Sequence, residues 1–163
     1  MSNGRGFRVG DSVVHPFHGV GEVVAIEQKL LDGERNTYYV VSLGNQTIWV
    51  PIKKASGIGL RPVVSKRKLG DVIKILRSKA DPLADDLRAR QQQIAARLTD
   101  RSLKSLSEVL RDLNGRGASS KLNESDLNTV RRVKVLLVGE WAVACNISRE
   151  EAQQQLDAVL RGA

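Results

Sequence analysis

The chain has 163 residues, with 26 Lys and Arg against 18 Asp and Glu, a formal net charge of +8 and a pI near 10.0. Hydrophobic residues make up 41%, no run of eighteen apolar residues occurs, and Met1 opens no basic-then-apolar leader, which disfavours a disordered, a membrane-spanning and a secreted chain. The one cysteine, Cys145, excludes an internal disulfide and a cysteine-rich zinc site and fits a reducing cytoplasm, while the cationic excess favours a polyanionic partner.

The first sixty residues carry strand signals. Asp11–His15 is a short β-branched run between Gly10 and Pro16, followed by Gly21–Glu27 and Thr37–Leu43. Asp32-Gly33 and Gly44-Asn45 are hairpin signals, because such pairs tolerate positive φ. Gln46–Ile52 follows, and Pro51, lacking a backbone donor, should end its strand or lie at an edge. Short strands joined by tight turns predict a small twisted sheet or barrel.

From Ser65 the period changes to helical. Leu69, Val72, Ile73 and Leu76 mark a first helix limited by Pro82. Leu83, Leu87, Ile94 and Leu98 mark a second, and Leu103, Leu106, Val109, Leu110 and Leu113 a third ending at Asn114-Gly115. Gly115–Lys121, small and polar, predicts a flexible loop. Asn123 or Ser125 can cap a long fourth helix striped by Leu127, Val130, Val133, Leu137 and Trp141. Ser148 with Glu151 forms a capping-box pattern opening a fifth helix with Ala152, Leu156, Val159 and Leu160. The abrupt shift predicts an α+β chain with a β domain over 1–63 and an α-helical domain over 64–163. Residues 1–64 hold seven basic and five acidic side chains, and 65–163 hold nineteen and thirteen; Lys66–Lys79 alone carries six basics and one acid.

Catalytic and metal chemistry find little support. His15 and His18 flank Pro16-Phe17, but a metal would need a third ligand, and local hydrogen bonding in a turn is the simpler use. Gly19-Val20-Gly21 and Gly57-Ile58-Gly59 complete neither a GxGxxG nor a P-loop, and are better read as backbone positions at turns and bulges. Asp85-Asp86 are adjacent and diverge on a helix. No enzyme and no cofactor is expected. Basic residues remain: Arg88, Arg90 and Arg97 on the second helix and Arg131, Arg132 and Lys134 on the fourth, suited to phosphate contacts that carry no sequence information.

Val9–Pro16, His18–Gly21 and Val24–Glu27, then Tyr38-Tyr39-Val40, Val50-Pro51-Ile52, Ile58–Arg61, Glu108–Leu113 and Leu136–Glu140, follow one another in an order that resembles the CarD-like bacterial transcription regulators. Their N-terminal module also occurs in the transcription-repair coupling factor. The resemblance implies a Tudor-like five-stranded domain that docks on the β-subunit lobe of RNA polymerase. It further implies a helical domain that reaches promoter DNA at the upstream edge of the bubble and stabilises the open complex. A tether to polymerase raises effective concentration, so weak DNA contacts suffice.

By position in the family, the polymerase-facing edge involves Lys29 and the strand Gln46, Thr47, Ile48, Trp49, Val50 and Pro51. Trp49 is an interface anchor or a core residue; alternation puts it on one face with Thr47. Where the family carries a tryptophan early in the second helix, this chain has Leu87, followed by Arg88 and Arg90 and preceded by Asp85 and Asp86. Losing a stacking face forfeits about 1–3 kcal/mol of base interaction. The expected DNA-facing set is Leu87, Arg88, Arg90, Arg131 and Arg132. The rival reading is a polymerase-docking adaptor whose helical domain binds another protein and little or no DNA.

Overall fold

The structure, a computed structural model, describes residues 6–162 and divides into two compact units between Val63 and Val64. In the first, strands β1 (Ser12–His15), β2 (Gly19–Leu31), β3 (Glu34–Ser42), β4 (Thr47–Pro51) and β5 (Arg61–Pro62) form one antiparallel sheet in the order β4-β3-β2-β1-β5. A single helical turn, α1 (Ile52–Ala55), takes Ile52 out of the strand that the sequence assigns to it. Val13, Val23, Tyr39, Val41, Val50, Ala55 and Leu60 fill the core.

The β2–β3 hairpin turns on Asp32 and Gly33, both at positive φ (51° and 80°), as their sequence predicts. β2 and β3 run longer than expected because pairing continues from Gln28–Thr37 out to Leu31–Glu34. A bulge between Val23 and Ala25 leaves Val24 exposed. Gly21 is at no positive-φ position; a Cβ there would lie 2.7 Å from Val41 Cγ1 and 2.8 Å from the Ser42 carbonyl, so close strand approach is what demands glycine. Pro51 satisfies both of its expectations, ending a strand at the sheet edge.

Among the described residues the second unit holds five α-helices: α2 (Lys66–Arg77), α3 (Leu87–Arg97), α4 (Leu103–Ser119), α5 (Glu124–Cys145) and α6 (Arg149–Arg161). Side chains of Ser65, Asp86, Ser102, Asn123 and Ser148 each accept a backbone N–H at a helix start, and Asn123 forms a reciprocal capping box with Asp126. Leu69, Val72 and Leu76 of α2, Leu106 and Leu110 of α4, Val133, Leu137 and Trp141 of α5, and Leu156 and Leu160 of α6 share one core. A smaller cluster joins Ile94 of α3 to Val109 and Leu113 of α4.

Two sequence expectations fail here for a packing reason. The predicted loop from Gly115 is helix, since α4 runs on to Ser119. Gly115 serves close approach instead: its Cβ would sit 2.5 Å from the Cβ of Ala80. Leu83 is not helical either. Residues 78–86 form a non-helical strap bonded by α4 side chains: Asp112 accepts from the Asp81 N–H (2.9 Å), and Arg111 donates to Ser78 Oγ (2.9 Å) and Asp81 Oδ2 (3.1 Å). Leu83 packs on the smaller cluster from that strap, and Leu98 falls in a 3-10 turn after α3.

Candidate functional site

On the outer face of the first unit, Thr47 and Trp49 of edge strand β4 point to solvent while Val50 is buried and Ile48 packs on the core. Trp49 is 44% exposed, which removes the core alternative. Its indole N–H donates to Glu27 Oε2 at 3.1 Å, and Lys29 Nζ lies 3.9 Å from the ring centroid. Both partners belong to β2, on the far side of β3, so the ring spans three strands and crosses Val40, its cross-strand partner, which is buried. Glu27 is absent from the sequence-based set; its spacing of two from Lys29, which puts both on one strand face, is the signal that could have found it. The Leu43–Gln46 hydrogen bond sets the ladder so that Ile48 and Val50 bond to β3 and the backbone groups of Thr47, Trp49 and Pro51 face the free edge, whereas Gln46 reaches His18 (Nε2 to Nδ1, 3.4 Å).

The two histidines do make local hydrogen bonds. His15 Nδ1 accepts from the N–H groups of Phe17 (3.1 Å) and His18 (3.3 Å), and the two rings lie 4.6 Å apart. Burial, with the charge of His18 adding to it, holds the His15 imidazole below its ordinary value. Among the described residues no group of three or more His, Cys, Asp or Glu side chains could hold a metal ion.

In the second unit, Leu87 (42% exposed) and Arg88 are at the solvent-facing start of α3. They share a helix face with Gln91, whose amide donates to Ser125 Oγ of α5 at 2.8 Å. Ser125, Asn128, Arg131 and Arg132 line an open depression on α5, so the Gln91–Ser125 bond joins the exposed faces of the two helices. Arg131 also bonds Asn128 (2.7 Å) and Glu124 (3.2 Å).

Arg90 corrects the expectation placed on it. Its guanidinium is 3% exposed and donates through Nε and Nη2 to both oxygens of buried Asp126 (3.0 Å each), and through Nη1 to the carbonyls of Ala84 and Asp85 (2.9 Å each). With all three nitrogens bonded inside the unit and the side chain buried, it does not reach a phosphate. Of the acidic pair, Asp86 caps α3, and Asp85, whose carboxylate stays exposed, pairs with Arg116 (3.1 Å).

A further polar hub went unread in the sequence. Asp112, fully buried, accepts from Arg97, from Arg111 (2.8 Å) and from the Asp81 N–H. Burial works against the charge on Arg111, but Asp112, with Asp81 and Glu108 behind it, holds that guanidinium above its usual range. A carboxylate between Val109 and Leu113 on an apolar stripe is the clue, since a buried charge requires partners.

Comparison with known proteins agrees with this two-part organisation. Residues 7–64 match the family model described as the CarD-like/TRCF RID domain, and residues 71–157 match that of the CarD C-terminal domain. The chain is also 26% identical over 147 residues to the "Putative transcription factor YdeB" of Bacillus subtilis (strain 168), a match covering 89% of this chain and 96% of the relative.

Proposed function

Because the chain belongs to the CarD family of RNA polymerase-interacting transcription factors, we propose that it docks on the polymerase β-subunit lobe through the Trp49 face and modulates promoter open-complex stability through its helical unit. The observation that carries this reading is the exposed indole, held between Glu27 and Lys29 beside an edge strand. An aromatic anchor next to unpaired backbone groups suits a protein partner that adds contacts along a strand. The DNA-facing set then comprises Leu87, Arg88, Arg131 and Arg132, with Arg90 in a supporting role behind them. Such contacts are weak and indifferent to sequence, which is sufficient once polymerase holds the protein at the promoter.

The adaptor reading, in which the helical unit binds another protein, is favoured by one observation: with Arg90 buried and Leu87 in the tryptophan position, α3 offers DNA little beyond Arg88. The lifetime of preformed polymerase–promoter complexes, challenged with competitor, separates the two. A changed lifetime that Trp49→Ala abolishes supports open-complex modulation. An unchanged lifetime with polymerase bound overturns it in favour of the adaptor. Trp49→Ala itself should cost about 2 kcal/mol or more of polymerase binding while folding stability stays within about 1 kcal/mol of wild type.

A further inference from the structure

Seven of the nineteen Lys and Arg side chains of the helical unit are tied down by carboxylates. Arg90, Arg97, Arg111, Arg116, Arg131, Lys104 and Lys134 each have an acidic partner within the unit. On α2 the exposed Lys66, Arg67, Lys68, Lys74 and Arg77 form no ion pair among the described residues, nor does Asp71, the one acid in the helix. At 100° per residue, Arg67, Gly70, Lys74 and Arg77 fall on one stripe opposite buried Leu69, Val72 and Leu76. The stripe extends over about 15 Å, long enough to lie along a few successive phosphates of one DNA strand.

Gly70 supplies an independent observation. It lies inside a helix, where glycine is unfavourable, without a positive φ, and a Cβ built on it would meet nothing within 4 Å. Neither backbone conformation nor internal packing accounts for it. In the middle of the stripe it leaves a bare floor over which a ligand backbone can approach the helix, while Arg67, Lys74 and Arg77 reach up around it. The first turn strengthens the field: three cations and no acid stand where the helix dipole favours acids.

We infer that the Gly70-centred face of α2 is a phosphate-contact surface for duplex DNA, separate from the α3–α5 face. The inference rests on the reading of this chain as a promoter-acting factor. The side chains of the stripe are all cationic, which suits them to the DNA backbone, whose contacts carry no sequence information.

The test uses the full chain and a short fluorescent DNA duplex without polymerase, titrated at several salt concentrations. The triple variant Arg67→Ala, Lys74→Ala, Arg77→Ala should reduce the slope of log K against log salt by about 2.7, at about 0.9 per lost contact. The charge-conserving variant Arg67→Lys, Lys74→Arg, Arg77→Lys should keep the slope. Gly70→Leu, which removes no charge, should weaken binding several-fold with helix content preserved by circular dichroism. A triple variant with the wild-type slope overturns the inference, as does a wild-type chain that binds no duplex at low salt. So does a loss confined to single-stranded RNA or to polymerase retention, which would identify a different partner. Complex lifetime is the independent arm: if it is unaffected by wild-type protein while the duplex slope still falls in the triple variant, open-complex modulation fails and the α2 surface stands.

Discussion

Alanine at Arg90 gives the sharpest perturbation. It removes four hydrogen bonds at once, two to Asp126 at 3.0 Å and two to strap carbonyls at 2.9 Å, and strands a carboxylate that is 1% exposed. Asp126 keeps only the Asn123 N–H of its capping box among the bonds described. Breaking a buried pair from one side costs about 3–5 kcal/mol, a large share of the roughly 5–15 kcal/mol that stabilises an ordinary domain. The two tryptophans make a clean assay possible, because Trp141 is buried in the helical unit and bonded to Gln155. In a Trp49→Phe background its fluorescence follows unfolding of that unit alone. Arg90→Ala should lower the urea midpoint by on the order of 2 M, and Arg90→Lys, which keeps the charge but not the fork, should recover part of the loss. A structural role for Arg90 is refuted if Arg90→Ala stays within about 0.5 kcal/mol of wild type yet lowers the salt slope of DNA binding by about one, the signature of a solvent-facing phosphate contact.

Three other perturbations test the packing and the electrostatics. Gly115→Ala should destabilise the helical unit by about 1–3 kcal/mol in thermal denaturation, although alanine favours helix, and Ala80→Gly should relieve the clash. Lys66→Glu should raise helical-unit stability by about 0.3–1 kcal/mol, because it places a carboxylate in the first turn of α2, while weakening duplex binding; a variant that is no more stable would contradict the dipole argument. His15 titrates below its ordinary value when folded, so the unfolded chain takes up the proton first. Stability of the β unit should therefore be full above the unfolded value of 6.5 and fall as pH drops through the lowered folded value; His15→Gln should flatten that slope in pH-dependent urea unfolding.

Much of the fold was legible because it depends on short-range rules. Alternation found the strands, Asp32-Gly33 found its turn, and the helical stripes with Asn123 and Ser148 found α5 and α6. The failures share a cause. Gly115, Leu83 and Arg90 all answer to the strap of residues 78–86, which lies along α4 and has no period of its own. Glycine reads as a break until Ala80 is known to press on it. Arginine reads as a surface cation until a buried Asp126, thirty-six positions away, is known to face it. Trp49 was ambiguous for a similar reason: alternation gave its face, but only the pairing of β2 through β3 to β4 brings Glu27 and Lys29 to the ring.

The clamped indole also bears on the cost of docking against it. A free tryptophan side chain must be caught in one rotamer during docking, and freezing side chains at an interface costs about 0.5–1.5 kcal/mol for each flexible one. Here Glu27 fixes the edge of the ring and Lys29 covers its face before any partner arrives. That loss of freedom is incurred once, when the β unit folds, and is not repeated at each encounter. A surface docking there would meet a ring already held by two neighbours, which lowers that cost.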